Sequence, residues 1–132
     1  MNHNSTFGTK EVAKIVDRTI HKTIAYVKRG LITPMKDANG HGSKRVWSYA
    51  NLIRMCMIVE LEGHGLSVEM LRHYSNLIPD AWLLTSDRLV AYRILDDIYI
   101  DPLDLDHARS EMVSSDINIL ITLKSIRRGL DQ

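Results

Sequence analysis

The sequence has a single cysteine, Cys56, among 132 residues. An intrachain disulfide is therefore impossible, and so is a cysteine-rich zinc site. This usage fits a reducing, cytoplasmic setting. No apolar run approaches the roughly 20 residues of a membrane helix. The stretch from Met1 to Lys10 is polar and lacks the apolar segment of a signal peptide. There is no G-x-S-x-G, no phosphate-binding loop and no dinucleotide glycine pattern. The six histidines, His3, His21, His41, His64, His73 and His107, form no i,i+4 pair, and none lies beside Cys56. No metal site and no cofactor are expected on that basis. Membrane proteins, secreted disulfide scaffolds and collagen-like chains are set aside. What remains is a soluble globular chain, 45% hydrophobic and 25% charged. It is long enough to bury a core unaided, as one ordinary domain or two very small ones.

The formal net charge of +1 conceals an asymmetry. Residues 1–75 carry 11 Lys and Arg against 6 Asp and Glu, whereas residues 76–132 carry 6 against 10. The bias peaks in 10–54, where ten basic residues face Glu11, Asp17 and Asp37. A front half of that sign suits a polyanion, and the rear half would be repelled by one.

Local signals divide the chain at the same place. Thr9 is a candidate cap for a helix from Lys10 to about Asp17, with Val12, Ala13, Ile15 and Val16 apolar. Thr19 caps a second helix over 20–29, which Gly30 is placed to end in the left-handed conformation. Two short helices joined by a tight turn make a helix-turn-helix candidate. The stretch 35–47 holds Asn39-Gly40 and Gly42 among Lys36, Lys44 and Arg45, which predicts a basic two-stranded wing. Ser48 caps a helix from about Tyr49 to Glu62, apolar over so wide an arc that it should be the central core helix. Gly63-His64-Gly65 breaks it, and Ser67 caps another over Val68 to about Leu77. The rear reads as β-β-α-β with a short tail. Its strands are predicted at 88–95 and 98–100, a helix at 104–113 and a strand at 117–123, although the last also fits a helix. The predicted fold class is α+β, with a winged helix-turn-helix over 1–78 and a small module over 79–132.

Four segments in the front half resemble the MerR-type winged-helix domain of bacterial transcription regulators, over about residues 6–74. They are Phe7-Gly8-Thr9-Lys10-Glu11-Val12-Ala13-Lys14, the run Lys22 to Ile32, Arg45-Val46-Trp47-Ser48, and Leu66-Ser67-Val68-Glu69-Met70-Leu71. The sequence departs from the family at Ala25, where an Arg is usual, at Val27, usually aromatic, and at Lys28, usually acidic. The metal-sensing members' cysteines and long dimer coiled coil are missing after residue 76.

The resemblance implies a cytoplasmic, non-enzymatic, homodimeric regulator of transcription with double-stranded DNA as its partner. Its recognition helix would enter the major groove, where base pairs present distinct donor and acceptor patterns. His21, Lys22 and Ala25 then face base edges, with Lys22 donating to guanine and Ala25 touching a thymine methyl. Tyr26, Lys28 and Arg29 are assigned to phosphates. Lys44 and Arg45 in the wing suit the backbone, and His41 at its tip suits the minor groove. Each has a plainer reading. The helix cations can be solvated surface, Tyr26 an edge of the core, and Arg45 a partner for a surface carboxylate. Trp47 is expected to pack between wing and long helix. The rear module is assigned to dimerisation or regulation and, being acidic, is expected to point away from DNA. An excisionase-like architectural factor of a phage or mobile element and a protein-interaction adaptor are the alternatives. The Asp96, Asp97, Asp101, Asp104 and Asp106 cluster reads as turn and cap residues before it reads as the metal site of a nuclease. Cys56 reads as inert packing.

Overall fold

The computed structural model describes residues 3–38, 44–94, 97–102 and 118–131. It is mixed helix and strand, an α+β chain of two compact units, Met1–Asn76 and Leu77–Gln132.

The front unit is built on three helices that stop in the same way. These are α1 (Thr9–Ile15), α2 (Ile20–Lys28) and α3 (Tyr49–Gly63). Each is followed by a left-handed residue, Asp17 at φ 55°, Gly30 at φ 76° and Gly65 at φ 88°. At α2 the Gly30 N–H donates to Val27 C=O and the Leu31 N–H donates to Tyr26 C=O, both at 3.0 Å. Asp17 and Arg18 make the same pair of bonds to Lys14 and Ala13, and Gly65 and Leu66 make it to Glu62 and Leu61. This paired closure satisfies helix-end carbonyls and turns the chain sharply. Leu31, carried inward by the turn after α2, is fully buried.

The starts of the helices are fixed by polar caps. The Thr19 hydroxyl accepts from the Lys22 N–H, and the Ser48 hydroxyl from the Asn51 N–H, both at 3.0 Å. At α1 the cap is Gly8, one residue before the predicted Thr9, and the Glu11 carboxylate accepts from the Gly8 N–H at 3.2 Å. The Thr9 hydroxyl instead accepts from Trp47 Nε1 at 3.1 Å. That bond meets the one polar need of a completely buried indole.

Two short strands, β1 (Thr6–Phe7) and β2 (Trp47–Ser48), pair antiparallel in the register Phe7↔Trp47. They anchor the chain start to the segment entering α3. The long helix α3 is buried over most of its surface, through Leu52, Ile53, Met55, Met57, Ile58 and Leu61. Helix α4 (Val68–Leu77) adds Leu71 and Tyr74 to this core. A buried polar chain is also present. The Arg54 guanidinium donates to Ser75 C=O, and the Ser75 hydroxyl donates to Leu31 C=O at 2.5 Å.

In the rear unit, α5 (Asp80–Thr85) precedes a three-stranded antiparallel sheet of β3 (Leu89–Ile94), β4 (Asp97–Pro102) and β5 (Asn118–Ile121), in the order β4-β3-β5. Its ladders include Leu89↔Pro102 and Leu89↔Ile121. Helix α6 (Leu123–Leu130) follows where a short tail was predicted. Arg127 of α6 donates from Nη1 to Leu83 C=O at 2.8 Å and to Ser86 C=O at 2.7 Å. It thereby caps the end of α5. The predicted helix at 104–113 lies outside the described residues, as do Asp96, Asp104 and Asp106.

Candidate functional site

Helix α2 has two unlike faces. Thr23 and Tyr26 are buried, and the Thr23 hydroxyl donates to Thr19 C=O at 2.9 Å. His21, Ala25 and Lys28 lie at i, i+4 and i+7, on one stripe of the helix. His21 and Lys28 are exposed and Ala25 is half-buried, so this stripe is turned to solvent. Arg29, exposed, stands at the C-terminal end. There the Arg72 Nε of α4 donates to Arg29 C=O at 2.8 Å. The bond satisfies a helix-end carbonyl and adds a second guanidinium to that end, where the helix dipole favours a cation.

Three of the predicted site residues are engaged within the protein. Lys22 Nζ is 3.3 Å from Glu62 Oε2 and 5.2 Å from the centroid of the Tyr26 ring. Arg45 Nε donates to Asp37 Oδ1 at 2.8 Å. For Tyr26 the phosphate assignment is corrected. Only 1% of the residue is exposed, and its hydroxyl donates to Glu62 Oε1 at 2.7 Å. Burial first, then the Glu62 hydrogen bond and charge, push its phenol up to about 12. Burial acts to raise the Glu62 carboxyl, but the hydrogen bonds from Tyr26 and Lys22 and the charges of Lys22 and Arg18 outweigh it and hold the group below the ordinary carboxylate value. Glu62 is therefore an anion at neutral pH.

The segment predicted as a wing is closed at its base by a backbone bridge, in which Lys36 and Val46 exchange hydrogen bonds at 3.0 and 2.8 Å. Lys44 is exposed beside it. His41 and the predicted Asn39-Gly40 turn lie outside the described residues. The two arms below this bridge are tied by Asn51. Its side-chain oxygen accepts from the Met35 N–H at 2.8 Å and the Ser48 N–H at 2.9 Å, and its amide donates to Thr33 C=O at 3.0 Å. One buried side chain thus holds both arms.

Glu62, Arg72 and Asn51 are absent from the site read out of the sequence. Asn51 had a signal: it is a polar residue at the third position of a Ser-capped helix, inside an otherwise apolar arc. Glu62 had a weaker one, as an acid in the last turn of a helix, where the dipole disfavours it. Arg72 had none. Cys56 sits in α3, and burial pushes its thiol up to about 11, which leaves little thiolate near neutrality. Among the described residues no group of three or more His, Cys, Asp or Glu is placed to hold a metal ion.

The family model described as MerR HTH family regulatory protein matches residues 7–77, more than half of the chain. The chain belongs to the MerR family. By family it is a helix-turn-helix regulatory protein. Among solved structures, it is similar to the crystal structure of HiNmlR, a MerR family regulator lacking the sensor domain, bound to promoter DNA. The identity is 19% and the TM-score 0.47, over 55% of this chain and 56% of that one. The match thus spans little more than half the length of that regulator. No curated protein matches. The MerR match ends at residue 77, so it does not extend to β3, β4, β5 or α6. Among the described residues no helix is long and apolar enough to cross a membrane.

Proposed function

We propose that this MerR-family chain is a non-enzymatic transcription regulator, active in the cytoplasm as a homodimer. In this reading α2 enters the major groove of duplex DNA and the basic wing lies on the backbone. The observation that carries it is the division of α2 into a buried face, Thr23 and Tyr26, and a solvent stripe of His21, Ala25 and Lys28 that ends at Arg29. A helix held rigidly from behind, with its outer face free, suits insertion into a groove.

His21 and Ala25 are the groups proposed to meet base edges, together with Lys22 once released from Glu62. Ala25 offers only a methyl, which suits a thymine C5-methyl. Lys28, Arg29 and Arg72 at the far end of α2, and Lys44 and Arg45 in the wing, are proposed to meet phosphates, which position the protein without reading sequence. His41 remains the proposed minor-groove contact. Residues 79–132 are proposed to supply the dimer contact, since two half-sites multiply weak single contacts.

The test is fluorescence anisotropy of a labelled random-sequence duplex titrated with the full chain at several salt concentrations. With six to ten phosphate contacts per dimer, affinity should fall roughly a thousandfold or more between about 50 and 200 mM salt. Binding that ignores salt, or no binding at about 50 mM, would remove the proposal.

A further inference from the structure

We infer that Glu62 holds Lys22 in an internal ion pair that duplex DNA must displace, so that one acid on the core helix sets the affinity and salt dependence of the recognition helix. This rests on the reading of α2 as the element that meets DNA.

The position of Glu62 is unusual for an acid. It lies in the last turn of α3, where the helix dipole disfavours a negative charge. Three groups compensate. The Tyr26 hydroxyl donates to Oε1 at 2.7 Å, Lys22 Nζ lies 3.3 Å from Oε2, and Arg18 adds its charge. Because Tyr26 is part of the core, its hydroxyl fixes the carboxylate in place. Glu62 thus differs from a swinging surface acid. Its second oxygen is aimed at Lys22, and the Tyr26 ring lies under the same ammonium at 5.2 Å. Lys22 is held from two sides while still partly exposed to solvent.

A lysine in this arrangement cannot add a full counterion-releasing contact. Moving its ammonium to a phosphate or a guanine edge breaks one ion pair to make another, and it leaves the Glu62 anion near the DNA. The net electrostatic gain is therefore small. Affinity for arbitrary duplex is held down, and transfer is rewarded only where the new site offers more than a bare phosphate. The Asp37–Arg45 pair at the wing repeats the pattern at a second proposed contact.

The experiment compares wild type, Glu62→Gln, Lys22→Met and the double variant, all as full chains, with random-sequence duplex across a salt series. Gln keeps an acceptor for the Tyr26 hydroxyl, so the fold is retained, and circular dichroism checks this. On random-sequence duplex the freed Lys22 ammonium meets a phosphate in each protomer, two per dimer, so the slope of log K against log salt should steepen by about 1.8, with binding roughly 60-fold tighter near 0.1 M. In the Lys22→Met background, Glu62→Gln should leave the slope unchanged. An unchanged slope in the single variant overturns the inference. So does an equal steepening in both backgrounds, which would make Glu62 a simple repulsive charge. If wild type and Glu62→Gln both fail to bind at about 50 mM, the DNA reading of α2 falls and takes the inference with it. Binding by Glu62→Gln alone would support the inference in its strongest form.

Discussion

Replacing Asn51 by alanine should loosen the wing and cost a large part of the front unit's stability. The side chain is 6% exposed and accepts from the Met35 and Ser48 N–H groups while donating to Thr33 C=O. Alanine leaves two donors and one acceptor without these partners. A buried polar group left unpaired costs about 1–3 kcal/mol. Met35 and Thr33 are exposed residues, so water recovers part of that for them, while Ser48 is half-buried and recovers less. The expected loss is therefore about 2–4 kcal/mol, set against the roughly 5–15 kcal/mol of a typical domain. Urea denaturation followed by tryptophan fluorescence and far-UV circular dichroism measures it, and the dependence on urea should keep its slope. Asn51→Asp keeps the acceptor but presents an anion to the Thr33 carbonyl, so it should recover only part of the loss. DNA binding should weaken as well, although every wing cation is untouched. A loss below about 1 kcal/mol would refute the reasoning, because the two arms would then be held by their backbone bridge alone.

Charge reversal of Lys22 or Arg45 should weaken binding in the anisotropy titration, and unchanged binding would remove that residue from the interface. Alkaline pH should destabilise the fold. Tyr26 and Cys56 ionise in the unfolded chain near the ordinary values of 10.0 and 9.0 but only near 12 and 11 when folded. Their contribution is thus whole below about pH 9 and is lost as pH rises towards 12, amounting to about 3 kcal/mol for Tyr26. Tyr26→Phe should flatten the upper part of that decline in a pH series of urea melts. Arg127→Met leaves the Leu83 and Ser86 carbonyls unpaired and should destabilise the rear unit by about 2–4 kcal/mol, read by thermal melting. Deleting 76–132 should leave a folded front unit that binds DNA more weakly, and sedimentation of the full chain should show a dimer. A monomer both free and on DNA would end the dimer proposal.

The helices of the front unit were legible because their signals are local. Apolar spacing placed α1 to α4, and Thr19, Ser48 and Gly30 marked ends that the structure keeps. The β1–β2 pair was not legible. Each strand has two residues, the partners stand some forty positions apart, and neither has an alternating run. The Thr9 cap failed by one residue because its hydroxyl serves the Trp47 indole, a tertiary demand that overrides local preference. Helix α6 was read as a tail because its apolar residues, Leu123, Ile126 and Leu130, are sparse; Arg127, bonded to the end of α5, completes the packed face. The site was half legible. Which residues are basic is written in the sequence, but which of them an acid already holds is not. The Glu62 contacts to Tyr26 and Lys22 join residues some forty positions apart.

The most direct measurement is selection of a random duplex pool by the full chain in a mobility-shift assay, with sequencing of the retained DNA. An inverted-repeat consensus is expected, as two copies of α2 related by a two-fold axis would impose. Retention without a consensus would point to an architectural role of the excisionase kind, and no retention at low salt would contradict the account outright.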